Sequence, residues 1–293
     1  MIRICAFITL ALSSPLLGAA APAPIIATCA TLLSVLSPTL PGGSIIALTN
    51  SAHAPAPCPP IVIKGRNYSP SVTIIATGMT LTRVDVDGSS GIAWHGGDFD
   101  GKNEVTSGFS VGESAFVTIE GATMHNYLRN SIIYANSSDF RVTGNIMSHS
   151  GSDGIDIALS RRGLIDGNTC SDPDTTTGSH PDCVQLWSRP TAAPVADITI
   201  SNNSATGAMQ GFNGFNHVRG GINDGGFDRI VVINNTAATL LANGIYFTDC
   251  RACVFRHNHL ITPKGAAHST HFVISGASSG SISVADQTFH DKR

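Results

Sequence analysis

Residues 131–168 read SIIYANSSDFRVTGNIMSHSGSDGIDIALSRRGLIDGN, and the stretch contains one plan twice. SIIYA (131–135) leads to FRVTGN (140–145), and GIDIA (154–158) leads to RGLIDGN (162–168). Further along come DITISNN (197–203), IVVINN (230–235) and CVFRHN (253–258), each an apolar run closing on Asn. The terminal residues Asn145, Asn168, Asn203, Asn235 and Asn258 are separated by 23, 35, 32 and 23 residues. A base period of 23 therefore carries insertions of 12 and 9 in the middle units. An earlier strand precedes each Asn: SIIYA, GIDIA, CVQLW (183–187), GFNHV (214–218) and GIYFT (244–248). Ile132, Ile155 and Ile245 lie 13 residues before their Asn, whereas Val184 and Phe215 lie 19 and 20 before theirs.

Short β-branched strands at a fixed period, with Asn at one turn, predict an all-β, right-handed parallel β-helix of about 23 residues per coil. Coils of such a solenoid stack at roughly 4.8 Å, the spacing of strands in a sheet. Asn suits the turn because it tolerates the left-handed conformation and its amide reaches the next coil. A leucine-rich repeat needs a Leu framework that this chain lacks, and a sandwich does not hold a constant spacing. Residues 25–36 (IIATCATLLSVL) are apolar and helix-compatible, which suggests an N-terminal capping helix over an open sheet end. A first strand follows at Ser44–Leu48 and a last apolar one at Ser281–Val284. The expected organisation is a signal peptide over 1–21, a cap over 22–43 and the β-helix over 44–293.

Composition agrees. The 293 residues carry 13% charged side chains, a net charge of −3, 30 glycines and a mean hydropathy of +0.15. A disordered chain, a coiled coil and a basic nucleic-acid binder are all excluded by that balance. Arg3, the apolar run Ile4–Leu17 and the small residues Gly18 to Ala21 read as a secretory leader, too short and interrupted for a membrane span. The expectation is a secreted or periplasmic protein, soluble and monomeric once the leader is removed. Cys29, Cys58, Cys170, Cys183, Cys250 and Cys253 remain after the leader, an even number. Local pairing (29–58, 170–183 and 250–253) is expected because the fold puts those pairs on neighbouring turns. The Cys250-x-x-Cys253 spacing has no second C-x-x-C, so a zinc site is disfavoured.

Alternation along the first strand of each coil points Ile132, Ile155, Val184, Phe215 and Ile245 inward, followed by Tyr134, Ile157, Leu186, His217 and Phe247. The residues between them form an outward column of Ile133, Asp156, Gln185, Asn216 and Tyr246. A second column at the strand entrance holds Asn130, Asp153, Asp182, Asn213 and Asn243, and Trp187 and Thr248 occupy the next outward position. Polar and aromatic groups one coil apart suit a linear polymer of sugars. Ordinary turn chemistry accounts equally for Asn130, Asn213 and Asn243. Stacked carboxylates at 153 and 182 repel unless a proton, cation or substrate compensates. His180 ends the Asp172–Ser179 loop beside Asp182, and a Cys170–Cys183 bridge would pin that loop. Arg219 is a candidate partner for a substrate carboxylate, while Arg161, Arg162 and Arg251 read as solvated charges in turns.

Ser152-Asp153-Gly154-Ile155-Asp156 looks like the N-T-D-G-[IF]-D run of polygalacturonases, and Asp182-Cys183-Val184 like the end of their D-D-C-[VI] run. On these motifs and the coil pattern, residues 44–285 resemble the pectin-lyase-like superfamily of polysaccharide lyases, uronan C5-epimerases and polygalacturonase-type hydrolases. The hydrolase resemblance implies that Asp153 and Asp182 activate water. It departs at Pro181, which stands where that family has its general acid, and the family's G-H-G and R-I-K segments have no match. The epimerase G-F-D-P-H-E run is matched only by Gly154-Ile155-Asp156.

The leading expectation is a carbohydrate-active enzyme using β-elimination or C5-epimerisation on a uronate polymer. Asp153, Asp156, His180 and Asp182 are then catalytic candidates, with His180 as base and Arg219 or Tyr246 as alternatives. Gln185, Trp187, Asn213, Asn216, Arg219, Asn243 and Tyr246 are expected to bind substrate. No cofactor is required on this reading, though Asp153, Asp156 and Asp182 could hold calcium through hard oxygen ligands. The alternatives are a paired-Asp glycoside hydrolase and a non-catalytic glycan-binding or adhesin solenoid. No phosphate-cradling Gly loop is present.

Overall fold

The computed structural model describes residues 23–50, 57–188, 194–276 and 282–292, so the leader expected over 1–21 lies outside the described residues. Three parallel sheets of 13, 9 and 9 strands run the length of the molecule, together with one two-stranded antiparallel hairpin. A regular coil contributes one strand to each sheet, and the 13-stranded sheet has additional strands, among them Phe227–Asp228 and Cys250–Arg251. In one regular coil the three strands are Ile132–Ala135, Ser138–Thr143 and Ile146–Ser150; in the next, Ile155–Ala158, Arg161–Asp166 and Thr169–Ser171. The sheet that starts each coil is called here the site sheet. Among the described residues the longest α-helix is the single turn Leu32–Val35.

The asparagine ladder forms as expected. The side-chain oxygen of Asn168 accepts both the backbone N–H and the amide of Asn145, each at 2.9 Å, and the motif repeats through Asn203, Asn235 and Asn258. Each of these asparagines also donates to a main-chain carbonyl of the preceding coil, as Asn168 does to Val142. All five are at most 1% exposed, so every buried amide group has a partner. A second ladder escaped the sequence reading. The backbone N–H of Ser89, Ser114 and Ser137 each donates to the hydroxyl of the next serine in the series, ending at Ser160. Its signal was the 23-residue spacing of Ser114, Ser137 and Ser160.

The core is the inward column of the site sheet, and here the expectation needs correction. Ile132, Ile155 and Val184 align as expected, but Val184 pairs with Phe212, which pairs with Ile245. Phe212 is fully buried; Phe215 is half-buried and aligns with Trp187 on the outside. The cause is a duplicated tripeptide, Gly211-Phe212-Asn213 and Gly214-Phe215-Asn216, which offers two registers three residues apart. An odd slip exchanges the two faces of a strand. Packing decides between them. A Cβ on Gly211 would lie 2.0 Å from the Gly244 carbonyl oxygen, and one on Gly214 would lie 2.5 Å from the Phe247 ring. The outward column is consequently Ile133, Asp156, Gln185, Asn213 and Tyr246, with Asn213 in the place expected for Asn216. The entrance column contains Gln210 where Asn213 was expected, since Gln210 pairs with Asp182. His217 leaves the core column, and Gly214 takes its place between Leu186 and Phe247.

The N-terminal helix also shrinks. Ile25–Ala27 is a strand paired in parallel with Ile46, Ala47 and Leu48, so the first sheet begins inside the segment assigned to a cap. Its β-branched pair Ile25-Ile26 favours extended chain, and the remaining helical turn buries Leu32. All three expected disulfides form: Cys29–Cys58, Cys170–Cys183 and Cys250–Cys253, with Cα separations of 5.8, 5.5 and 6.0 Å. Arg162 and Arg251, expected as solvated charges, are paired with Asp139 and Asp228.

Candidate active site

The Asp172–Ser179 loop is one of the two insertions, and it returns the chain to the site sheet at Asp182–Trp187. Three contacts fix its end. Cys170 is bonded to Cys183, the Ser179 hydroxyl donates to the Gly151 carbonyl, and the Pro181 carbonyl accepts the Gln210 N–H at 2.7 Å. Gly154 has to be glycine, because a Cβ there would lie 2.7 Å from the Cys170 sulfur and 2.8 Å from the Cys183 carbonyl oxygen. Replacing Cys170 and Cys183 by Ser is expected to cost about 2–4 kcal/mol of stability. Thermal melts check that value. Activity should fall with it, because the bridge sets where His180 stands.

Asp182 is completely buried, whereas the His180 side chain is 66% exposed, and His180 Nδ1 lies 3.7 Å from Asp182 Oδ2. The other oxygen, Oδ1, accepts from the Asn213 amide. Asn213 also donates to Gln210 Oε1 at 3.0 Å, and Gln210 accepts from Asn243 at the same distance. Below Asp182, Asp153 Oδ1 accepts the Asp182 N–H at 2.9 Å, and Asn130 Oδ1 accepts the Asp153 N–H at 3.3 Å. Asn130 donates to Asp156 Oδ2 at 3.1 Å. The entrance column is thus one hydrogen-bonded chain from Asn130 to Asn243. Gln210, which the sequence reading missed, is its central acceptor; the duplicated tripeptide hid it.

Burial pushes the Asp153 carboxyl well above the usual carboxylate range, with Asp182 and Asp156 adding repulsion. Burial also raises Asp182, opposed by His180 and Asn213. The Asp182 carboxylate beside the imidazole raises His180 above the ordinary histidine value. A raised carboxyl binds more protons folded than unfolded, so stability falls as pH rises from the ordinary carboxylate range through the folded value. His180 acts in the same direction, stabilising below the ordinary histidine pKa and losing that contribution as pH climbs through its raised value. The melting temperature is therefore expected to rise on acidification from neutral pH, and Asp153→Asn should flatten that slope. An unchanged slope in Asp153→Asn would show that the carboxyl is ordinary.

The expected solvent-open groove is only partly open. His180, Asp156, Trp187, Asn216 and Tyr246 reach the surface, while Asp153, Asp182, Gln185 and Asn213 form a buried floor. Within that floor Asp182 Oδ2, Gln185 Nε2 and Asn213 Oδ1 have no hydrogen-bond partner. Each such deficit costs about 1–3 kcal/mol, and here they gather under the exposed His180. Phe215 stacks on Tyr246 at 5.3 Å and presents its ring to the edge of His180 at 6.4 Å. Trp187 stacks on His217 at 5.5 Å, so His217 belongs to the surface shelf and not the core. Asn216 turns away to hold the loop after the strand, bonding Ser188, Asn223, Thr248, Asp249 and Gly226. The backbone of Arg219 lies in the hairpin Val218–Arg219 with Ile222–Asn223, and its side chain lies outside the described residues. The three site aspartates each commit an oxygen to a protein donor. Among the described residues no three acidic, His or Cys side chains converge to hold one metal ion.

Residues 107–293 match the family described as "Right handed beta helix region". The chain belongs to that family. No curated protein matches it in sequence. The β-helix is similar in structure to an alginate lyase from Paenibacillus sp. str. FPU-7, at 13% identity and a TM-score of 0.57, covering 92% of this chain and 98% of that one. It is similar to the polygalacturonase of Erwinia carotovora ssp. carotovora at 14% identity and a TM-score of 0.57, covering 96% and 88%. The periplasmic alginate epimerase AlgG gives 11% identity and a TM-score of 0.57, covering 86% of this chain and 61% of that one. At these identities the likeness is one of fold. Among the described residues no helix is long and apolar enough to cross a membrane.

Proposed function

We propose that this β-helix acts on a uronate-containing polysaccharide by moving the proton at C5, through β-elimination or C5-epimerisation. The observation that carries the reading is the exposed imidazole of His180 backed by the fully buried Asp182. Asp182 sets the ring orientation and stabilises the imidazolium that forms when Nε2 takes a proton, the role of the buried acid in other His-Asp pairs. Asp153, biased toward the neutral form by burial, keeps negative charge under the site low, which a polyanion requires. Trp187 and Tyr246 offer ring faces for sugars. In elimination the imidazolium returns its proton to the leaving glycosidic oxygen; in epimerisation a donor on the opposite face of the ring returns one to C5. The fold shared with an alginate lyase and an alginate epimerase, together with three disulfides suited to a secreted or periplasmic protein, supports the reading.

The test is incubation with polymannuronate, polyguluronate, polygalacturonate and a neutral glycan. Ultraviolet absorbance of an unsaturated uronide marks elimination, and a changed isomer ratio without cleavage marks epimerisation; both should vanish in His180→Ala. Reducing ends without absorbance would instead support hydrolysis by Asp153 and Asp182. Retention without turnover would make the molecule a glycan-binding solenoid.

The basis for favouring proton transfer over hydrolysis is local. An inverting hydrolase needs two accessible carboxyls about 6.5–9.5 Å apart with water between them. Asp153 and Asp182 are 4% and 0% exposed and joined through the Asp182 N–H, and Pro181 offers no acid.

A further inference from the structure

A side chain as exposed as that of His180 needs more than one contact to hold its ring. Nδ1 lies 3.7 Å from Asp182 Oδ2, which is longer than a hydrogen bond. One contact of that length fixes the direction of one nitrogen and leaves the ring plane free to turn about it. A second constraint comes from the neighbouring coil. The Phe215 ring stands 6.4 Å from the imidazole, centroid to centroid, with the two planes at 62°. That is an edge-to-face pair, an arrangement favoured at centroid separations of about 4.5–7 Å. Phe215 is stacked in turn on Tyr246, at 5.3 Å and 28°. The three rings form a row that crosses the coils of Asp182–Trp187, Gln210–Phe215 and Asn243–Thr248.

The phenyl ring has a fixed support. Phe215 ends its strand on the outward face, aligned with Trp187. Its carbonyl accepts the Ser188 N–H at 3.4 Å and the Ser188 hydroxyl at 3.3 Å. Gly214, directly before it, is pressed so closely against the Phe247 ring that a Cβ there would lie 2.5 Å away. A backbone held on both sides gives the ring the rigid base that a precisely placed site needs. We infer that Phe215 is a positioning residue for the proton transfer: its ring stops the His180 imidazole from turning away from Asp182 and keeps Nε2 in the orientation that receives the C5 proton. The inference rests on the proton-transfer reading of His180 and adds to it a residue that itself exchanges no proton. It also gives the duplicated tripeptide a role. The register that buries Phe212 is the one that carries Phe215 to the surface beside His180. A base that samples several ring orientations spends less time in the productive one, so losing the phenyl should lower the rate of the chemical step and leave substrate binding alone.

Phe215→Leu removes the ring and keeps apolar bulk, whereas Phe215→Tyr keeps the ring; a cooperative melt verifies that each folds. Proton NMR of the imidazole is the first readout, with the His180 resonances assigned by their loss in His180→Ala. In wild type and Phe215→Tyr these resonances should carry the ring-current shift of a neighbouring aromatic ring. In Phe215→Leu they should move toward the positions of a free imidazole. Kinetics on the uronate polymer that wild type turns over are the second readout. Phe215→Leu should lower kcat about 3–10-fold with KM within about twofold, and Phe215→Tyr should restore kcat. The acidic limb of kcat/KM should stay in place in both variants. Asp182 is untouched, and the phenyl lies beyond the roughly 6 Å reach of a cation–π contact. Unmoved His180 resonances in Phe215→Leu overturn the proposal whatever the reaction. So do an undiminished kcat in Phe215→Leu, equal losses in the two variants, or a loss carried by KM. If no uronate is turned over, the proton-transfer reading has failed, and the resonance shift still decides whether Phe215 orients the ring.

Discussion

His180→Ala is expected to lower turnover of the uronate substrate by about 10²–10⁴-fold, the usual contribution of a positioned proton-transfer group. The melting temperature should hardly move, because two thirds of that side chain lies in solvent. Asp182→Asn is expected to lower turnover comparably while folding normally: it keeps the shape of the residue and removes a buried charge. Its signature lies in the pH profile. The base form of His180 requires a neutral ring, and Asp182 raises the pH at which the ring loses its proton. In wild type the acidic limb of kcat/KM should therefore lie above the ordinary histidine pKa, and in Asp182→Asn it should move to lower pH. A variant whose rate falls without that movement would place Asp182 in a purely structural role. Full activity in His180→Ala would remove the proton-transfer mechanism altogether.

The largest stability effect is expected at the ladder. Asn203→Ala removes the acceptor of both the Asn168 N–H and the Asn168 amide, and strips donors from the Ile165 carbonyl and Asn235. Asn168 is 1% exposed, so water cannot replace what is lost. At about 1–3 kcal/mol per unsatisfied buried group, the loss should reach about 3–5 kcal/mol, measured by denaturant unfolding. Asn203→Asp tests the mechanism, since it retains the acceptor but not the donor and buries a charge. It should be no less damaging.

The coil period, the ladder and the disulfides were legible because each depends on local residue type at fixed spacing. Ile132, Ile155 and Ile245 sit in uninterrupted units, and their alignment followed from counting. The site was legible where the same held. Asp153, Asp156, His180, Asp182 and Gln185 come from neighbouring strands without ambiguity, and the structure brings them together. Beyond Trp187 the count failed, because register across an insertion is set by what the strand packs against. Gly211 and Gly214 fit only under Gly244 and Phe247, partners more than 30 residues away. That misassignment exchanged Asn213 for Asn216, concealed Gln210 and placed His217 in the core. The open groove was a second overreach. Side-chain alternation marks a face, but it does not say how deeply the face lies beneath its own loops.

The twin tripeptides also have a kinetic meaning. A solenoid assembles coil upon coil, each new strand templated by the one already docked, and here two near-identical docking modes compete at the same step. The slipped mode would seat Phe215 in the core and displace Gln210 from Asp182, so its local contacts are plausible while its neighbours are not: a site of frustration. Chains that enter it must undock before the next coil can be laid down. Refolding is therefore expected to divide into a prompt population and a delayed one, with recovery of activity lagging recovery of the far-ultraviolet β signal. Phe215→Tyr, which disfavours the core for that ring and leaves the native strand intact, should shrink the delayed fraction.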